Sequence, residues 1–270
     1  MALDQVNTLL LRQWNADIQD TPGWSLATIR LAVNVVRVFF NWCFLERLCD
    51  DLGRVLIAPS VKEKVEHTIT PEEMVSLLQS CDDSIEGIRD ASIIAMLYDT
   101  GFRATEICSL TLDGVHLDQK IWHKGDIFIV NYGVVQVKGG DEAQGWFEKE
   151  TRDLLTTWLK IQTLVAQTTE NAVFVAIGGN TPGQALTRSG LRGIVRRMGE
   201  RVGISGVTPR AFRRGFTIAM DDAGASDNLK AKFGRWKFSA MIRRYTHAQR
   251  IGWQFKDFSP MGNLPNGPDS

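Results

Sequence analysis

The chain has 270 residues, 44% of them hydrophobic and 23% charged, and its 31 basic and 31 acidic residues give a formal net charge of zero. This composition suits a globular chain with one large or two modest cores and excludes a low-complexity polymer or a disulfide scaffold. The four cysteines, Cys43, Cys49, Cys81 and Cys108, form no Cys-x-x-Cys pair, and the histidines at 67, 116, 123 and 247 are equally scattered, so free thiols are expected and no metal centre.

The amino terminus, MALDQVNTLLLRQW, lacks the basic start and unbroken apolar core of a signal peptide, and no later stretch is expected to run apolar for the ~20 residues that a membrane span requires. The expectation is a cytoplasmic chain with no membrane partner. A first helix is predicted from Gln5 to Ile18, and the turn signal Thr21-Pro22-Gly23 separates it from a second. Ser25 caps that second helix, whose Ile29, Val33, Val36, Phe39, Phe40 and Phe44 recur at helical spacing. The stretch from Asp51 to Glu66 mixes Gly, Pro and alternating charge and reads as an exposed linker.

Thr70-Pro71-Glu72-Glu73 supplies a threonine cap, a proline in the first turn and a glutamate three residues on, which opens a helix through Ser80. Helices follow at Ile88 to Tyr98 and Ala104 to Leu110, separated by Gly101. From Ile121 to Val137 the pattern turns to β-branched and aromatic runs broken by Gly125 and Gly133, as expected of strands joined by turns. A helix is predicted from Glu150 to Leu164, then a short strand at Ala172 to Ile177, then helices to the end. The predicted fold is mainly α with a small antiparallel β-sheet, divided into a helical domain over 1–60 and a larger domain over 61–270. No Gly-x-x-x-x-Gly-Lys-Ser/Thr loop or histidine–glutamate zinc motif is present, so nothing points to NTP-driven or metalloprotease chemistry.

The zero net charge hides an uneven distribution. Between Thr187 and Arg250 there are fifteen basic residues against four acidic ones, an excess of eleven dominated by arginine. Arginine's planar fork suits phosphate, so this stretch is expected to face a nucleic-acid backbone. One of only three tyrosines, Tyr245, follows Arg243 and Arg244 directly. Adjacent cations favour the phenolate, which makes Tyr245 a candidate nucleophile.

Cleaving a phosphodiester requires fixed cations beside the nonbridging oxygens, an in-line nucleophile and a proton donor for the departing oxygen. Three islands offer these. Arg103 follows a glycine turn, with Glu106 one helical turn on to brace it; Lys138 stands at a strand end before Gly139-Gly140; and TPRAFRRGFT with FGRWKFSAMIRRYTH adds Arg210, Arg213, Trp236 and Tyr245.

Taken in this order the islands resemble a tyrosine recombinase, a member of the phage-integrase family of DNA strand-exchange enzymes, over roughly Ile69 to His247. The helical region before them is similar to the family's core-binding domain. The resemblance implies Arg103 and Arg213 as the paired phosphate-holding arginines, Lys138 as general acid toward the leaving 5′-oxygen, and Tyr245 as nucleophile with Trp236 nine residues before it. Glu106 would support the site, and Arg214, Arg235, Lys237, Arg243 and Arg244 would contact DNA. Recombination through a 3′-phosphotyrosyl link and a Holliday junction follows from the same likeness, with double-stranded DNA as partner, four protomers on two DNA sites and no cofactor or metal.

Two departures stand out. Arg210 occupies the place where most of the family has histidine, and arginine donates hydrogen bonds but does not accept a proton. In FGRW, Arg235 separates Gly234 from Trp236 where many relatives have glycine directly before the His or Trp. Two other readings therefore stay open: a catalytically silent DNA-binding regulator, and a type IB topoisomerase-like activity. The tail after Tyr245 carries Ile251, Trp253, Phe255 and Phe258, and either a neighbouring subunit or its own domain can take this apolar stretch.

Overall fold

The computed structural model describes residues 3–61, 66–137, 140–167, 170–235 and 259–261. The chain separates into two compact units, 1–65 and 66–270.

In the first unit, α1 (Thr8–Asp17) begins where the Asn7 side chain accepts from the Leu10 N–H at 2.9 Å, and α2 (Leu26–Leu45) begins at Ser25, whose hydroxyl accepts from the Thr28 N–H. Each cap satisfies an N–H that a helix start leaves without an intrahelical partner. Ile29, Val33 and Phe40 of α2 pack with Leu11 and Ile18, and also with Leu52 and Leu56. The opening of the expected linker is thus part of this core: a 3-10 turn at Gly53–Val55 folds back and buries the leucines on either side of it.

The α2 stripe is narrower than the sequence suggests. Phe39 and Phe44 are about half exposed; consecutive helical positions lie about 100° apart, so Phe39 cannot share the inward direction of Phe40, and Phe44 lies in the last turn of the helix. Leu31, Val35, Val38, Trp42 and Leu45 form a second apolar row that faces outward. The expectation of no membrane-length apolar run is corrected here. By length and composition α2 is long and apolar enough to cross a bilayer, with a mean hydropathy of 1.3. Arg30, Asn34, Arg37 and Asn41 interrupt its run at helical spacing, which is why the unbroken-run criterion passed over it.

The second unit is built around α4 (Ile85–Thr100), capped by Ser84 and buried from Ala91 to Thr100. Before it lies α3 (Pro71–Gln79), whose Thr70–Glu73 capping box forms as predicted. After it come α5 (Ala104–Cys108) and an antiparallel sheet of β1 (Val115–His123), β2 (Asp126–Gln136) and β3 (Glu142–Phe147), in the spatial order β1-β2-β3. The remaining helices are α6 (Lys149–Val165), α7 (Arg188–Arg201), α8 (Pro209–Asp222) and α9 (Asp227–Phe233). Helices α6 and α8 pack on α4, and Leu97, Phe102, Trp158, Phe174 and Phe212 share one core. The fold is mainly α with a small antiparallel sheet, as expected.

Two β assignments differ from the sequence reading. The third strand, EAQGWF, falls after the predicted region because its polar residues and glycine carry a weak strand signal. Ala172 to Ile177 is no strand and makes only single bridges, Thr111 to Ala172 and Val175 to Ala185. Its apolar side chains from Ala172 to Val175 are core residues, and its backbone is satisfied by isolated backbone bonds, such as the Val173 N–H to the Leu110 carbonyl at 2.9 Å, and by side chains: the Trp158 indole donates to the Val173 carbonyl at 2.8 Å and the Gln162 amide to the Ala172 carbonyl at 2.9 Å. All four cysteines are free, and among the described residues no cluster of potential metal ligands occurs.

Candidate active site

The site is assembled where the carboxyl end of α4 meets the start of α8 and the end of α9. Helix α4 stops at Gly101, whose φ of +59° is a left-handed conformation that favours glycine. The next residue, Phe102, is fully buried against the sheet, where Gly133 and Gly145 pair across β2 and β3. A Cβ on Gly145 would stand 2.5 Å from the Phe102 ring, so glycine there is what lets the ring seat. This anchors the turn and sends Arg103 away from the core at the first step of α5.

Glu106 fixes Arg103 twice. Its carboxylate accepts from the Arg103 backbone N–H at 2.9 Å and from the guanidinium at 2.5 Å, while Arg103 remains 44% exposed and Glu106 only 2%. Burial acts to raise the Glu106 pKa, but the Arg235 charge and the hydrogen bonds from Arg103 outweigh it and hold the carboxyl below its ordinary value.

Helix α8 begins at Thr208, with Pro209 at its first position. This places Arg210, Arg213 and Arg214 in its first two turns, near the partially positive helix end. Arg210 is exposed, with no side-chain partner among the described residues. Arg213 is partly buried and donates to the carbonyls of Gly101 and Gly234, joining the end of α4 to the end of α9. Arg214 turns instead to the Glu66 carboxylate and the His67 carbonyl, at the start of the unit.

Arg235 departs from expectation. Foreseen as a surface contact to DNA, its side chain is only 6% exposed and points inward to Glu106, because the carbonyls at the ends of α4 and α9 attract its donors. Two guanidiniums, Arg103 and Arg235, therefore share one carboxylate, and Arg213 stands near enough to feel their charges. Burial and then the neighbouring Arg235 and Arg103 charges push Arg213 down to about 9, and burial pushes Arg235 down to about 10, with Glu106 opposing. A cluster with surplus positive charge and fork-shaped donors is suited to receive an anion such as a phosphodiester.

Asp99 is a buried feature that the sequence reading missed, although an acid at the end of the apolar run Ile93 to Tyr98 was a visible signal. It accepts from the Glu148 N–H at 2.8 Å, Thr151 Oγ1 at 3.0 Å, Ser259 Oγ at 2.5 Å and the Met261 N–H at 3.3 Å. Through it, residues 259–261 are packed into their own unit. Of the predicted site residues, Lys138, Trp236, Lys237, Arg243, Arg244 and Tyr245 lie outside the described residues, as do tail residues 251–258.

A family model described as the phage integrase family matches residues 67–250. The tyrosine recombinase XerC of Vibrio cholerae serotype O1 is 26% identical over 214 residues, covering 77% of this chain and 62% of that protein. The tyrosine recombinase XerD of Staphylococcus epidermidis is 27% identical over 245 residues, covering 88% and 78%. Among solved structures, XerH site-specific recombinase in a post-cleavage complex with a palindromic difH substrate matches with a TM-score of 0.63 and 17% identity, over 94% of this chain and 73% of that one. The Tn1549 transposon integrase in complex with transposon right end DNA matches with a TM-score of 0.66 and 16% identity, over 94% and 85%. The chain thus spans somewhat under two thirds of the XerC length and shares the recombinase fold.

Proposed function

Because the chain belongs to the phage integrase family, we propose that it is a site-specific DNA recombinase that cuts and rejoins double-stranded DNA through a covalent tyrosine intermediate. The observation that carries the proposal is the convergence of Arg103 and Arg213 on the carboxyl end of α4, with Glu106 bracing the first and backbone carbonyls the second. In sequence, Tyr245 lies ten residues after Arg235.

In this reading Arg103 and Arg213 hold the nonbridging oxygens of the scissile phosphate and stabilise the charge that builds on them. The Tyr245 oxygen forms a bond to phosphorus, its proton passes to solvent, and the bond from phosphorus to the 5′-oxygen breaks. Lys138 supplies the proton to the departing oxygen. The phosphotyrosyl ester conserves the bond's free energy, so attack by the 5′-hydroxyl of a second DNA strand reverses the chemistry and completes exchange without ATP. Arg210, exposed at the start of α8, donates to a phosphate oxygen rather than accepting a proton. Trp236 takes the role of the residue, His or Trp, that the family carries at this position. Lys237, Arg243 and Arg244 contact the duplex backbone, and the helical unit over 1–60 acts as the core-binding domain. Paired exchange implies four protomers on two DNA sites, and the cytoplasm is the proposed place of action.

The test is incubation of the protein with a nicked suicide duplex carrying its native flanking DNA, beside Tyr245→Phe and Arg213→Ala. A protease-sensitive covalent adduct is expected from the unmodified protein and none from Tyr245→Phe, with duplex affinity retained. Arg213→Ala is expected to lose at least ~100-fold in cleavage rate, the scale of losing one transition-state donor. Specific binding without any adduct would overturn the enzymatic reading.

A further inference from the structure

The inward turn of Arg235 is costly in two ways. Its φ of +55° lies in the left-handed region that a residue with a Cβ adopts only under constraint. Its buried guanidinium has one carboxylate within reach, which it shares with Arg103, and its Nε has no hydrogen-bond partner among the described residues. A glycine would relieve the backbone, and an apolar side chain would fill the space without burying a charge. Packing alone therefore does not account for the residue.

Its contacts do. Arg235 donates to the Phe233 carbonyl at 2.8 Å and the Thr100 carbonyl at 3.1 Å, approaches Glu106 at 3.3 Å, and lies 4.6 Å above the Phe102 ring. One side chain thus grips the end of α9, the end of α4, the residue before Arg103 and the carboxylate that braces Arg103. The left-handed turn also aims the Arg235 carbonyl at Arg103, whose Nη2 donates to it at 3.3 Å. Arg103 is then held on two sides, by Glu106 and by a carbonyl whose position Arg235 sets.

We propose that Arg235 is a positioning residue for strand cleavage: it ties Arg103 and the Glu106 that braces it to the ends of α4 and α9, so that the phosphate-holding arginine keeps one orientation. The inference rests on the recombinase reading. It assigns no DNA contact to Arg235, since the side chain is turned away from solvent. Small misplacements of catalytic groups reduce rate much more than binding, so the effect belongs in the cleavage step.

The experiment compares the full-length protein with Arg235→Gly, Arg235→Lys, Arg103→Ala and the Arg103→Ala/Arg235→Gly pair. Single-turnover cleavage of the nicked suicide duplex is measured at saturating protein, duplex affinity by fluorescence anisotropy, and folding by thermal melting. Glycine suits the left-handed turn, so Arg235→Gly removes the guanidinium while relieving the backbone. Arg235→Gly is expected to bind the duplex within about threefold of the unmodified protein yet cleave at least ~10-fold more slowly, with Arg235→Lys recovering part of the rate. In the pair, Arg235→Gly should add little to the loss from Arg103→Ala, because its effect acts through Arg103. Cleavage by Arg235→Gly at the unmodified rate would overturn the proposal, as would losses that multiply in the pair, or a loss of affinity that accounts for the loss of rate. Failure of the unmodified protein to form an adduct would instead remove the recombinase reading, and this inference with it.

Discussion

Replacing Glu106 by alanine removes the carboxylate that Arg103 and Arg235 share. The Arg103 N–H then loses its 2.9 Å acceptor, the Arg103 guanidinium its 2.5 Å partner, and buried Arg235 its carboxylate partner at 3.3 Å. Breaking a buried pair from one side costs about 3–5 kcal/mol, because the remaining charge keeps its desolvation penalty. The partial exposure of Arg103 and the longer contact to Arg235 place this case at the lower end, about 3 kcal/mol. For a unit as large as 66–270, that corresponds to a fall of roughly 6–12 °C in melting temperature. The assay is denaturant unfolding followed by circular dichroism at several pH values. Glu106 is held below its ordinary value of 4.5, so its stabilisation is present above that pH and is lost as pH falls through the lower folded-state value. The difference between the two proteins should therefore shrink in acid. A difference below about 1 kcal/mol at neutral pH, or one that does not change with pH, would refute the view of Glu106 as the keystone of the arginine cluster.

Gly101→Ala should cost about 2–4 kcal/mol, since a Cβ there meets the Phe216 ring at 2.6 Å and the backbone holds a φ of +59°; an unchanged melting temperature would contradict this. Asp99 is pushed up to about 7 by burial, against its hydrogen bonds. Because the folded state binds this proton more tightly than the unfolded state, the stability it contributes is full below about pH 3.8 and is lost as pH rises through about 7. The unfolding free energy should accordingly fall between pH 4 and 7 relative to Asp99→Asn, and parallel pH profiles of the two proteins would exclude this role.

Much of this protein was legible because its signals are local. The Thr70 capping box, the Ser25 cap and the glycine stop at Gly101 act within a few residues of themselves, so sequence placed those helix ends closely. The order of Arg103, Arg210 and Arg213 also needed only the text of the chain, and Arg103 and Arg213 do meet at the end of α4. The period of α2 was readable, but not which of its two apolar rows would be covered, since that depended on Leu52 and Leu56 folding back. Ala172 to Ile177 looked like a strand because a buried apolar run carries the same composition whether a continuous sheet ladder or isolated backbone bonds and side chains such as Trp158 and Gln162 satisfy its backbone.

Arg235 marks the boundary most clearly. By itself the sequence determined a basic residue in a basic stretch, and every neighbouring charge pointed toward a nucleic-acid surface. Only the tertiary structure decided that the side chain turns inward, because its acceptors at Thr100 and Glu106 lie well over a hundred residues earlier in the chain. Local sequence sets the charge and reach of an arginine, whereas its direction is chosen by whichever carbonyls and carboxylates the packed helices bring within hydrogen-bonding distance.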